Sequence, residues 1–462
     1  MAARDKLLPL VVAVPLFLQN VDTSAIATAL PSIARSLDVT PLHLNLAITS
    51  YLLSLAVFLP LSGWCASRFG ARKVFCAAIA FFALGSALCG LASSLPQLVA
   101  FRVLQGFGGA LMVPVGRLIL LRSVAPAAMV AAMVWFTVPP TIGRMIGPLV
   151  GGAIVTWTSW RWIFLLNIPF GIIGILLAWR LISPEADEEL REPFDATGFV
   201  LLSIGLTGLL GALEMTGKGL VGGWWIAAAG AIGAAAMAVY VRRSARIAAP
   251  MVNLRVLKFP TFFASIVGGT PLRIAIGASP FLLPLMFQLG FGLSPLHSGL
   301  LTVATALGSL ATRGVMGAAI QRFGFRSLLI AATAMSGCFY MSYGLFTPST
   351  LPLLMFCVML AGGLVTSMAM VSLQTLGFSE VPKPLMSHAT TLSTMTQQVS
   401  LTFGVVAGAA LVNAAAHLHG GDAAHLTARD FSPAFFIVGL TTLVSLLFFV
   451  RLDPQHGEDM RR

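Results

Sequence analysis

Apolar stretches recur from one end of the chain to the other, separated by short polar connections. Each is about 20 residues or longer, enough to cross ~30 Å of hydrocarbon. Fourteen can be marked, at 8–32, 45–66, 74–94, 97–120, 131–157, 161–181, 196–214, 223–241, 261–290, 296–319, 326–346, 350–376, 387–414 and 432–451. A segment in lipid must satisfy its own backbone hydrogen bonds, so all fourteen are predicted to be helices. The first stretch, from Leu7, is too long for a secretory signal core, and no small-residue cleavage pattern follows it. It is expected to stay as the first span.

Composition sharpens this pattern. Hydrophobic residues make up 57% of the 462 and charged residues 10%, whereas a soluble domain carries about 25% charged residues. The class is all-α integral membrane. The net charge of +12 would suggest nucleic acid in a soluble protein. Here the basic residues sit in the connections, where membrane topology requires them. With the N-terminus cytoplasmic, 19 of the 28 Lys and Arg fall in inner connections, 4 in outer ones and 5 inside spans. A missed helix would invert that bias downstream of the error. The expectation is an even number of spans with both termini cytoplasmic, no nucleic-acid partner, and a multi-pass protein of a bacterial inner membrane.

The chain also repeats itself. Gly63 to Arg72 and Gly317 to Arg326 both read Gly-x4-Arg-Phe-Gly-x-Arg, at an offset of 254, and Pro41-Leu42-His43 recurs at the same offset as Pro295-Leu296-His297. Two matches at one offset imply two homologous bundles in the same orientation. The acidic stretch from Pro184 to Asp195 and the basic one from Arg242 to Lys258 bracket two spans that belong to neither bundle. The domains expected are a first six-helix bundle at 1–183, a linker with a two-helix insertion at 184–258, and a second six-helix bundle at 259–462.

Several motifs now carry a resemblance. Gln19-Asn20-Val21-Asp22-Thr23 with Leu30-Pro31 lies in the first span, and Gly63 to Lys73 follows the second. Arg102 to Ala110, with Gln105, lies in the fourth, and Gly143 to Gly152 in the fifth. Trp160 to Phe164 with Asn167-Ile168-Pro169 opens the sixth. In that order they resemble the fourteen-span drug:proton antiporter branch of the major facilitator superfamily. The resemblance implies the major facilitator fold, transport by alternating access, and proton-coupled export, with no enzyme activity and no cofactor. It assigns gating to Gly63, Arg68, Gly70 and Arg72 and to Gly147, Pro148, Gly151 and Gly152, and adds Arg102 to the proton-handling set. The loop motif of that branch carries an acid where this chain has Ser67.

Ionisable residues inside spans cost roughly 2.5–3.5 kcal/mol each on insertion scales, so each needs a reason. Asp22 lies deep in the first span among Gln19, Asn20 and Thr23. Burial penalises the charged form of a carboxylate, which makes such a group able to exchange protons. Arg102 is expected at the same depth. Glu214, near the end of its span, is expected to be solvated. Arg144 and Arg273 fall near mid-depth, with too few deep acids to neutralise both. They are expected either to bond backbone carbonyls and amides such as Gln397, or to line one wet central cavity with Gln19, Asn20, Gln105 and Gln397. A guanidinium there binds anions. The favoured substrate is a small organic anion or its metal chelate, carried against protons by a monomer in the bilayer. An exporter of lipophilic cations stays open. A membrane receptor or enzyme finds no nucleophile–base or metal spacing to support it, and His417, His419 and His425 are read as a solvated outer loop.

Overall fold

The computed structural model describes residues 3–41, 43–123, 129–183, 194–216, 222–247, 250–382, 385–419 and 426–452. They are almost entirely helical. The first part of the chain forms α1 (Ala3–Ser36), α2 (Asn45–Phe58), α3 (Leu61–Phe69), α4 (Ala71–Leu91), α5 (Leu95–Ser123), α6 (Met129–Trp157), α7 (Arg161–Leu165) and α8 (Asn167–Leu181). A helical pair follows, α9 (Ala196–Met215) and α10 (Gly223–Ser244). The remainder runs through α11 (Pro260–Phe263), α12 (Thr270–Leu285), α13 (Pro295–Phe323), α14 (Phe325–Tyr343), α15 (Pro352–Gly377), α16 (Met386–Leu418), α17 (Ala428–Val444) and α18 (Leu446–Phe449). Two π-helical turns, Ala264–Gly268 and Met286–Gly290, flank α12.

Among the described residues, ten helices are long and apolar enough to cross a membrane, or twelve if each of two bent pairs is one span. The two other long helices, α6 and α14, lie where the expected fifth and eleventh spans fall.

The packing repeats as the sequence does. In the first part α1 lies on α6, α2 and α4 on α5, and α4 on α8; in the second, α12 lies on α16, α13 and α14 on α15, and α14 on α17. The repeated motif explains part of this. Gly70 (φ 83°) and Gly324 (φ 74°) each end one helix and start the next, in a backbone region that only glycine adopts freely. The helix before each glycine is bent, by 56° between α2 and α3 and by 58° within α13 beside Gly314. Arg72 donates to the carbonyls of Ile182 (3.4 Å) and Trp179 (3.5 Å), and Arg326 to that of Val450 (2.7 Å). In each half, the arginine of the motif therefore holds the carbonyl end of the last helix, where a cation is favoured. Among the described residues, Ser67, where the resemblance leads one to expect an acid, bonds back to the carbonyl of Trp64 at 2.9 Å.

The halves meet through α6 on α13, α2 on α16, and α1 on α12, while α9 touches both α2 and α16. At the end of the bundle where α1 finishes, the crossing is tight. A methyl group on Gly152 would stand 2.5 Å from the carbonyl oxygen of Pro295, and one on Gly299 would meet that of Pro148. Beside this crossing, Gln288 donates to the carbonyl of Thr28 at 2.9 Å. Small residues here let two backbones touch. Gly143, Gly147 and Gly151 do the same against α1, facing Phe17, Ser24 and Ala25.

Candidate functional site

Five helices of the first half bring their few polar side chains to one buried point. Asp22 of α1 and Arg102 of α5 form an ion pair of 2.7 Å, with neither side chain exposed. The Arg102 Nη1 that contacts Asp22 also donates to Gln105 Oε1 at 2.6 Å, and its Nε donates to the carbonyl of Ala47 at 3.0 Å. The guanidinium lies over the Tyr51 ring, 4.3 Å from its centroid, and 5.7 Å from that of Phe164. Asn167, at the start of α8, donates to the second carboxylate oxygen of Asp22 at 3.2 Å and to Ser86 Oγ at 2.8 Å. Ser86 in turn donates to the carbonyl of Phe164. Gln19 reaches Tyr51 Oη at 3.0 Å and the carbonyl of Gly109 at 3.4 Å.

The helices can approach this closely because glycines line the contacts. Gly85 faces Gln105, Gly106 faces Ser54, and Gly109 lies under Gln19 and Tyr51. Isolated, the Asp22 carboxylate or the Arg102 guanidinium would be prohibitive at this depth; together, each is both neutralised and hydrogen-bonded. Arg102 Nη2, Gln105 Nε2 and Gln19 Oε1 keep no partner among the described residues.

The other expected site residues divide. Arg144 is exposed, and its Nη2 and Nε donate to Asn20 Oδ1 at 2.9 and 3.3 Å. The Asn20 amide nitrogen is held by the carbonyl of Leu16 at 2.8 Å, so its oxygen is turned to the arginine. Gln19 and Gln105, expected beside a substrate, are instead buried in the Asp22 cluster. Gln397 is partly exposed on α16. Arg273 is 1% exposed and donates from Nη1 to the carbonyl of Ser265 at 2.6 Å, inside the second half. Glu214 also departs from expectation, being buried at 4% exposure rather than solvated. His419 pairs with Asp430 at 2.7 Å, and His425 lies outside the described residues.

Sequence reasoning did not assign Tyr51, Ser86 or Asn167 to the cluster. A usable signal existed for the first, since the chain has only 4 tyrosines and this one stands at the middle of an apolar span. Asn167 stood in a motif without a role. Serine inside a span gives no such signal, since its hydroxyl can bond its own helix.

Comparison with known proteins fits this geometry. The Major Facilitator Superfamily model matches residues 13–282 and again 265–460. The chain is 37% identical over 454 residues, 97% of its length and 95% of the relative's, to the "Putative multidrug resistance protein MdtD" of Salmonella heidelberg (strain SL476), and equally to that of Salmonella typhimurium. Among solved structures it resembles a D-xylose-proton symporter (TM-score 0.68, 17% identity, 97% of this chain and 98% of that one). It also resembles an auto-inhibited POT family peptide transporter (TM-score 0.67, 14% identity, 97% and 98%). The chain belongs to the major facilitator superfamily and is a multi-pass membrane transporter.

Proposed function

We propose that this transporter is a proton-coupled exporter of small organic anions in a bacterial inner membrane, with both termini cytoplasmic, and that Asp22 carries the proton. The observation behind it is the buried pair. Asp22 is the one carboxylate that the described residues place among spans of the first bundle in contact with a non-titrating cation. Protonating Asp22 would dissolve the pair and free the Arg102 guanidinium, whose other acceptors, Gln105 and Ala47, stay on α5 and α2. Loss of that bond lets α1 shift against α5. Because α1 also carries Asn20 and Thr28, its movement reaches both Arg144 and the Gln288 contact of the second half. Proton binding is thereby linked to the substrate side and to the crossing between bundles.

Arg144 supports the anion reading. At mid-depth an exposed guanidinium does not face lipid, so it faces the water-filled gap between bundles. Its acceptor is a neutral amide, which leaves its charge for a ligand. The gating role of Gly147, Pro148, Gly151 and Gly152 rests on the tight α6–α13 crossing, that of Gly63, Arg68, Gly70 and Arg72 on the repeated turn. A second reading has its own support: relatives 37% identical bear a multidrug-resistance name. The test is transport into inverted vesicles, comparing organic anions with cationic dyes under an imposed pH gradient. Gradient-dependent uptake of anions is expected; uptake of dyes alone would replace the anion reading.

A further inference from the structure

The helix α10 ends in a group of cations that the proposed transport path does not use. It packs on α9 and is the least buried of the candidate spans. Its 22 residues make it about 33 Å long, close to the thickness of the hydrocarbon layer. Trp224 and Trp225 stand at its start, 78% and 68% exposed, as aromatic residues do at a membrane surface. Its other end, with Arg242 and Arg243, therefore lies at the opposite surface.

One outward face of α10 changes character along its length. Ile232, Ala235 and Val239 are exposed, and Arg242 and Arg246 continue the same line at steps of three and four residues, the spacing of one helix face. Arg246 keeps to that line because its amide still bonds the carbonyl of Arg243, at 2.9 Å. A third guanidinium comes from another element. Arg255, in the short 3-10 turn Leu254–Lys258, reaches back to place Nη2 3.5 Å from the carbonyl of Ala245. None of Arg242, Arg246 and Arg255 is paired with a carboxylate among the described residues. Arg243 differs, since Asp195 holds its Nη1 at 2.6 Å.

The framework beneath these charges is fixed. The Asp195 carboxylate also accepts from the amides of Gly198 at 2.9 Å and Met251 at 3.4 Å. Tyr240 Oη accepts from the Val252 amide at 3.0 Å and donates to the Val252 carbonyl at 3.2 Å. Asn253 caps the turn that carries Arg255. The start of α9, the end of α10 and the connection to the second bundle are thus one braced unit. Its uncompensated cations stand on the outside of the brace, where they repel one another unless an anion joins them.

We propose that this end of α10 binds an anionic phospholipid, with the phosphate on Arg242, Arg246 and Arg255 and an acyl chain along Ile232, Ala235 and Val239. The guanidinium fork matches a phosphate, and a basic cluster beside a spanning helix is what attracts anionic lipid. A soluble anion would use the charges and leave the apolar line idle; a lipid uses both. Occupancy ties α10 to the connection into the second bundle. The site shares no residue with the Asp22 cluster or with the Arg144–Asn20 pair, and it holds whatever substrate is carried.

The test is native mass spectrometry of the full chain in a neutral detergent, titrated with phosphatidylglycerol or with phosphatidylcholine. One phosphatidylglycerol should be retained in preference to phosphatidylcholine. Its affinity should fall about fivefold for each cation removed, in Arg242→Gln, Arg246→Gln and Arg255→Gln. All three side chains are exposed, so the variants should fold. Arg180→Gln and Arg451→Gln, which remove exposed cations at other helix ends, should leave the affinity unchanged. An equal loss in those two would mean general surface charge and overturn the site, as would equal retention of the two lipids by the parent. Excess inorganic phosphate should not displace the lipid; displacement would make the occupant a free anion and reject the proposal. Retention that appears only after Glu185, Glu188 and Glu189 are replaced by Gln would put the chain's own acidic stretch on the patch, and rejects it too.

Discussion

Asn167 and Arg102 divide the carboxylate of Asp22 between them, the amide taking Oδ1 at 3.2 Å and the guanidinium Oδ2 at 2.7 Å. Two helices far apart in the sequence, α5 and α8, are thereby tied to one side chain of α1. That makes Asp22 the point at which a single proton can alter packing across the first bundle.

Asp22→Asn is therefore expected to abolish flux driven by a pH gradient. The amide carries no proton and leaves Arg102 without its counter-charge, a loss of about 3–5 kcal/mol for one partner of a buried pair. Arg102→Gln in the same chain should recover part of the thermal stability lost by Asp22→Asn, because the two residues couple directly. Substrate counterflow, which needs no net proton movement, should survive in the double variant. Gradient-driven transport by Asp22→Asn at the parent rate would remove Asp22 from the mechanism.

Gly299→Ala tests the crossing of α6 on α13. The added methyl meets the carbonyl oxygen of Pro148, an overpacking worth about 1–3 kcal/mol against the closed end. A cysteine at Thr28, buried there, should react faster with a membrane-impermeant thiol reagent when Gly299→Ala is present. Unchanged labelling would mean that this contact does not hold the bundles together.

The architecture was legible in the sequence because it is dictated by the solvent. Lipid forces helices, the repeat of Gly63–Arg72 at Gly317–Arg326 forces two like halves, and Gly70 and Gly324 occupy matching turns with positive φ. The Asp22–Arg102 pair was legible for the same reason, since a deep acid needs a deep base. What the sequence did not carry was direction around each helix axis. Depth put Arg144 and Arg273 together, but Arg144 stands on the α1 side of α6 while Arg273 folds into its own bundle under Leu373. Gln19 and Gln105 are buried beside Asp22 for a like reason: an amide satisfies a buried hydroxyl or guanidinium as readily as it does a ligand.

Sidedness follows from loop charge and can be measured. A cysteine replacing Arg429, before the last span, should be labelled from outside the cell, and one replacing Arg246, after α10, only after permeabilisation. Both residues are in exposed or part-exposed positions, so access is not limited by burial. Labelling of both from one face would contradict the five spans, α11–α12 through α16, expected between the two positions.

Under the proposed function, Arg144 is the residue on which the substrate class turns. Its guanidinium is exposed and has Asn20 Oδ1 as an acceptor, at 2.9 Å from Nη2. A neutral amide orients the group without cancelling its charge, so on that reading Asn20 is a positioning residue. Arg144→Lys keeps the charge and loses the planar fork, and should weaken carboxylates more than monodentate anions. Arg144→Gln removes the charge and should lower the affinity for any organic anion by about tenfold or more, the range of a charge-assisted hydrogen bond. Asn20→Ala leaves the charge but frees its direction, so KM should rise while the preference for anions over cations stays. These three variants separate charge, fork geometry and orientation when measured as concentration-dependent uptake in inverted vesicles. Should Arg144→Gln export an organic anion with the parent's KM, the exposed arginine is not its binding group. Transport of lipophilic cations would then be the reading to pursue.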